Sequence, residues 1–84
     1  MKEDNIHLTI VSPEKKLFEG MVKYIELPGS SGLFSVLYNH APLISSLETG
    51  NIKFKSQGVT HRIPVRKGFV EVLDNSVSVC ATEV

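Results

Sequence analysis

Three histidines, one cysteine and a scatter of serines are the side chains of this 84-residue chain that could do chemistry. The histidines are His7, His40 and His61; the thiol is Cys80. Acyl transfer needs a serine or cysteine beside a positioned base, and a zinc site needs three or four ligands. Neither pattern is written here. No histidine has a second histidine or a carboxylate at ligand spacing, and no serine stands in a Gly-x-Ser-x-Gly elbow. Gly29 and Gly32 are only two glycines and open no helix, so they make no phosphate cradle. His7 and His61 fall in strand-like runs and read as ordinary strand positions. His40 differs, because it lies between a turn at Tyr38-Asn39 and Pro42. Local sequence gives it no nucleophile to activate, so a packed or interfacial ring is the expected role rather than a general base. No catalytic residue, metal ligand or cofactor is expected.

Charge narrows the partners. Lys plus Arg and Asp plus Glu number nine each, for a formal net charge of zero. A nucleic-acid binder carries a basic excess to neutralise phosphates, and this chain has none. A neutral surface does little to hold small proteins apart, which suits a subunit that lives in a complex. Lys53, Lys55, Arg62 and Lys67 form either a solvated sheet face or a patch for an acidic partner. A single cysteine makes no internal disulfide and fits a reducing cytosol; Cys80 sits in an apolar run and reads as a small core residue. The N-terminus, Met1 to Asn5, is polar and lacks a signal core, and no apolar run approaches bilayer length. Any membrane association is therefore expected to be indirect.

The elements that must position these residues read as strands. The composition, 42% hydrophobic and 21% charged, is too apolar for a disordered segment. One domain is expected over residues 1–84, with a modest core and a thin stability margin. Ile6, Leu8 and Ile10 alternate with His7 and Thr9, the period of a half-buried strand. Ser12-Pro13-Glu14-Lys15-Lys16 predicts a turn, Gly20 a bend or bulge, and Met21 to Leu27 a second main strand. Pro28-Gly29-Ser30-Ser31-Gly32 is a strong break with two glycines free to take positive φ. Leu33 to Leu37 is a short apolar strand, and Leu33 either points back into the core or stands exposed on the turn. Ile52 and Phe54 alternate with Lys53 and Lys55, and Ser56-Gln57-Gly58 predicts a hairpin into Val59 to Val65. Pro64 makes that strand an edge or a bulge, Gly68 breaks the pattern, and Asp74-Asn75-Ser76 turns the chain into a last strand. The expected fold class is all-β, a flattened β-sandwich or barrel of about eight to ten short, mostly antiparallel strands.

Three segments carry a family resemblance: LTIVSPEKKLFEG near the start, ELPGSSGLFSVLYNHAPLISSLETG in the middle and PVRKGFVEVLDNSVSV near the end. Together, from about Ile6 to Ala81, they closely resemble the epsilon subunits of bacterial rotary ATP synthases. The resemblance implies a flattened ten-stranded sandwich in the central stalk. It also implies a non-catalytic rotor subunit that joins the gamma subunit to the membrane c-ring and couples rotation to ATP synthesis or hydrolysis. Its location would be peripheral, on the cytoplasmic face of the bacterial inner membrane. Carried onto this sequence, Ser30, Ser31, Gly32 and Leu33 match the turn that meets the c-ring. Ser12, His40, Ala41 and Pro42 match gamma-facing positions. Ser35 stands where the family usually has glycine, Tyr38-Asn39 replaces a common Pro-Gly, and Lys67-Gly68 replaces a frequent glycine pair. Many members continue into a two-helix C-terminal domain that inhibits ATP hydrolysis and in some binds ATP. Nothing follows Val84 here, so neither that inhibition nor a nucleotide site is expected of this chain.

Two rival readings belong to other classes. One is a free-standing β-sandwich that binds a peptide or small ligand at an exposed edge. The other is a small hydrolase using His40, which requires a hydroxyl or thiol beside that ring.

Overall fold

A computed structural model describes residues 5–84. Eight strands are formed there: β1 (Ile6–Val11), β2 (Lys16–Val22), β3 (Tyr24–Gly29), β4 (Gly32–Leu37), β5 (Leu43–Leu47), β6 (Gly50–Ser56), β7 (Val59–Leu73) and β8 (Ser76–Glu83). They make one hydrogen-bonded sheet that folds over on itself. One layer runs β2-β1-β8-β7-β5, and the other runs β7-β6-β3-β4. β7 belongs to both, pairing with β6 over Val59–Val65, with β5 from Gly68 on, and with β8 at Val65 and again from Gly68 on. Most pairings are antiparallel, but β1 and β8, first and last, lie side by side in parallel. The outline, 39 × 24 × 19 Å, is flattened as expected. The family resemblance implied ten strands; the described residues form eight, one of which, β7, runs unbroken for 15 residues through both layers.

Alternation builds the core. Ile6, Leu8 and Ile10 from β1, Val77, Val79 and Ala81 from β8, and Val70 and Val72 from β7 line one layer; Ile25, Leu27, Val36, Ile52 and Phe54 line the other. All are almost fully buried. Phe18 on β2 meets Phe54 on β6 at 4.4 Å between ring centroids, a contact that ties two strands sharing no hydrogen bond. His61 stacks on Phe54 at 4.9 Å, so this strand histidine completes an aromatic cluster.

Several expectations need correction. Met21 to Leu27 is not one strand, because the chain kinks at Lys23 between β2 and β3. Val22 and Ile25 are both buried but three residues apart, and a period-two strand cannot bury both. Gly20 is no bend; it pairs with Leu8, while the bulge lies at Ile10/Val11. A Cβ on Gly20 would stand 3.1 Å from the Phe18 ring, so glycine leaves room for that ring. β3 continues through Pro28 and Gly29, and of the two turn glycines only Gly32 has positive φ, at 123°. Cys80 is half-buried rather than a core residue, because inward parity on β8 belongs to Val79 and Ala81. Gly68 breaks the pattern as expected, though without ending β7. The register shifts between Val65 and Gly68, and a Cβ on Gly68 would run into the Cys80 carbonyl oxygen. Other expectations hold: Gln57 and Gly58 both have positive φ, as do Asp74 and Asn75, which marks two tight hairpins. Pro64 stands beside the register shift that begins at Val65, and its carbonyl accepts from the Val84 amide at 3.3 Å, so of the two expected settings it has the bulge rather than the open edge.

Candidate docking surface

Each sequence-nominated residue has a definite place. Ser12 is 7% exposed, and its hydroxyl both donates to the Lys15 carbonyl and accepts from the Lys15 amide, each at 3.2 Å. It shapes the turn after β1, and the neighbouring Pro13 and Glu14 are what that turn exposes. The β3–β4 turn is pinned to β5: Ser30 and Ser46 hydroxyls lie 2.6 Å apart, and the Ser30 amide donates to the Ser46 carbonyl. Ser31 and Gly32 are exposed, and Leu33 is 68% exposed, so this leucine does not point into the core. The two segments share one end of the molecule, because Val11, Cys80, Phe69 and Ser46 form one row across β1, β8, β7 and β5.

His40, Ala41 and Pro42 lie at the opposite end. The Asn39 amide donates to Asn75 Oδ1 at 2.6 Å, and Asn75 Nδ2 donates to Asn39 Oδ1 at 3.2 Å. Both asparagines take positive φ, 66° and 61°, a region their short polar side chains tolerate. This reciprocal clasp holds the loop against the β7–β8 turn. His40 Nδ1 lies 2.7 Å from the carbonyl oxygen of Ala41, a backbone partner rather than a hydroxyl or thiol.

Between these ends stretches the outer face of the β2-β1-β8-β7-β5 layer. Register gives its rows: Ile44, Glu71, Ser78 and Thr9, then Leu73, Ser76, His7 and Met21. Serine and threonine keep its centre low. Its β5–β7 side is apolar, with Ile44 74% and Phe69 55% exposed and Leu73 about half exposed. A shallow groove of about 350 Å³ runs there between Pro42–Ile44 and Glu71–Leu73, joining the His40 loop to the face. Its β2 side is charged. Lys16 Nζ lies 2.6 Å from Glu19 Oε1, and His7 Nε2 lies 3.2 Å from Glu19 Oε2. The hydrogen bond and positive charge of Lys16 hold the Glu19 carboxyl below its usual range, with His7 adding to the effect.

Sequence reasoning missed Ile44, Phe69 and Leu73. The signal was present: in Phe69-Val70-Glu71-Val72-Leu73 one parity is wholly apolar and the other still carries Phe69 and Leu73, and large apolar side chains on both faces of a strand need a second cover. The histidine–carboxylate contact also escaped it, because His7 and Glu19 meet only across the β1–β2 ladder. Four basic positions were nominated together. Lys53 pairs with Arg62 across β6–β7 and with Glu26 across β3–β6, on the outer face of the other layer. Among the described residues no cluster of metal-ligating side chains occurs, and no helix is long and apolar enough to cross a membrane.

Residues 5–84 match the family described as "ATP synthase, Delta/Epsilon chain, beta-sandwich domain". The ATP synthase epsilon chain of Nitratidesulfovibrio vulgaris (strain DP4) is 43% identical over 79 residues, covering 94% of this chain and 59% of that protein. The epsilon chain of Pelotomaculum thermopropionicum is 42% identical over 81 residues, covering 96% of this chain and 60% of that one. The chain thus spans about six-tenths of the length of these curated relatives. Among solved structures, a chain of the Euglena gracilis mitochondrial ATP synthase OSCP/F1/c-ring assembly superposes with a TM-score of 0.89 at 21% identity, covering 99% of this chain and 54% of that one. A chain of the Tetrahymena thermophila mitochondrial ATP synthase central stalk and c-ring gives 0.78 at 15% identity, covering 99% and 67%. At those identities the likeness is one of fold.

Proposed function

Because the chain belongs to the family of ATP synthase delta/epsilon β-sandwich domains, we propose that it works as a non-catalytic rotor subunit in the central stalk of an ion-translocating ATP synthase. In this reading the outer face of the β2-β1-β8-β7-β5 layer lies against the gamma subunit. Ile44, Phe69 and Leu73 supply the apolar contact. His40, Ala41 and Pro42 border it at one end, and the Ser12 turn borders it at the other. The turn at Ser30, Ser31, Gly32 and Leu33 meets the polar loops of the c-ring, and membrane contact is only through the complex, on the cytoplasmic face of a bacterial membrane.

The observation that carries this reading is the exposed apolar side of the face. Monomeric proteins rarely leave grouped, large apolar side chains in water without a use for them. A central anchor of the Ile44 and Phe69 kind, rimmed by polar groups, is the usual anatomy of a protein–protein contact. The mechanism is mechanical. A closed, densely packed sandwich deforms little under load, so torque at one surface reaches the other.

The test is retention of gamma. A pull-down from membranes with this chain as bait is expected to bring down gamma and c subunits. Ile44→Lys is expected to lower gamma retention about tenfold or more, by burying an unpaired charge at the contact. The isolated variant should melt within a few degrees of the parent, because residue 44 is already in water. A variant that binds gamma normally removes the face from the interface. A parent chain that captures a peptide but no stalk subunit supports the free-standing binding module instead.

A further inference from the structure

An open strand edge is a template for another strand, and most edges are blunted by charge, proline or bulges. In this fold β2 carries Lys16 and Glu19 and a bulged register, and the open side of β7 carries Arg62. β4 has no such protection. It reads Gly32-Leu33-Phe34-Ser35-Val36-Leu37, without charge or proline, and pairs with β3 alone.

The direction of its free groups follows from the ladder. Pro28 has no N–H, and its carbonyl accepts from the Glu48 amide at 2.8 Å, away from β4. Leu33, opposite Pro28, is therefore at a non-hydrogen-bonded position, and alternation puts Ser35 and Leu37 in the same class. These three residues turn their amides and carbonyls to the open edge. The Leu37 carbonyl already accepts from the His40 amide at 3.1 Å; the others face outward.

The side chains are self-complementary. Leu33, Ser35 and Leu37 stand on the outer face, with the leucines 68% and 58% exposed. We propose that β4 pairs antiparallel with β4 of a second copy of this chain, about a twofold axis through Ser35, so that two sandwiches share one continuous outer layer. In that register Ser35 meets Ser35 of the second copy, and Leu33 meets Leu37 of the second copy. Both exposed leucines gain a cross-strand partner and no like charges face each other. The zero net charge raises no long-range barrier to the encounter. The pairing rests on the strand and not on the stalk assignment. It covers Leu33, so a chain paired this way has its β3–β4 turn occupied and must separate before that turn can serve another partner.

Sedimentation of the 84-residue chain tests it, from about 1 μM to about 1 mM, the range in which so small an interface associates. A concentration-dependent dimer is expected. Ser35→Lys sets two ammonium groups face to face and is expected to raise the dissociation constant about tenfold or more, with an unchanged circular-dichroism melt because residue 35 is exposed. In a Cys80→Ser background, Ser35→Cys is expected to give a covalent dimer with a short thiol–thiol cross-linker. Ser78→Cys, on the outer face of the other layer, is expected to give none. A chain monomeric throughout, a Ser35→Lys variant that dimerises like the parent, or cross-linking at 78 but not at 35 overturns the proposal.

Discussion

Single residues here mostly act by fitting or by pairing. Gly68 is the clearest case of fit. A methyl group there collides with the Cys80 carbonyl and comes within 2.7 Å of Ala81, both across the β7–β8 ladder, where neither backbone can yield cheaply. Gly68→Ala is expected to cost about 1–3 kcal/mol, as overpacked interiors do. A chemical-denaturation midpoint measures that loss. Glu19 is the clearest case of pairing. Its carboxyl titrates below its ordinary value of 4.5 in the folded chain, chiefly through Lys16 and secondarily through His7. A depressed folded-state value means that the contribution is present above about pH 4.5 and is lost as pH falls through the folded-state value. Glu19→Gln should therefore lower the thermal midpoint slightly at pH 7, and parent and variant should converge in acid. Equal offsets at both pH values would show that the ion cluster contributes nothing.

Elements show what the sequence could and could not reveal. The alternation in β1 and β6 was legible because one face of each is dry and the other wet. The Gln57-Gly58 and Asp74-Asn75 hairpins were legible because glycine and asparagine tolerate positive φ. The Lys23 kink was not, because Met21 to Leu27 is uniformly strand-like and only the need to bury both Val22 and Ile25 divides it. Cys80 was misread because an apolar run does not disclose its parity until its ladder partners are known. The candidate surface was half legible. The His40 loop and glycine turn announced themselves through punctuation residues, whereas Ile44, Phe69 and Leu73 converge only when β5 and β7 pair. The Asn39–Asn75 clasp spans 36 residues and has no local sign. Asn75→Gly keeps the positive φ while removing the amide. It is expected to cost about 1 kcal/mol and to speed hydrogen exchange at Asn39 and His40, with little change at β1. Unaltered exchange in that loop would show that something else holds it.

The whole molecule depends on a small core closed by one aromatic cluster. Phe54 is fully buried and touches Phe18 and His61, so it joins β6 to β2 and to β7. Phe54→Ala is expected to cost about 3–5 kcal/mol, a large share of the roughly 5–15 kcal/mol a domain has. Urea titration of the isolated domain would detect it, and a loss near 1 kcal/mol would mean that the two layers close without this contact. The parallel seam between β1 and β8 has a consequence in time. The first strand finds its neighbour only when β8 has left the ribosome, so the sheet stays incomplete until all eight strands have been made. Contacts so distant along the chain make for slow folding, and until the seam closes the nascent protein presents two unsatisfied strand flanks to whatever chaperone waits at the exit.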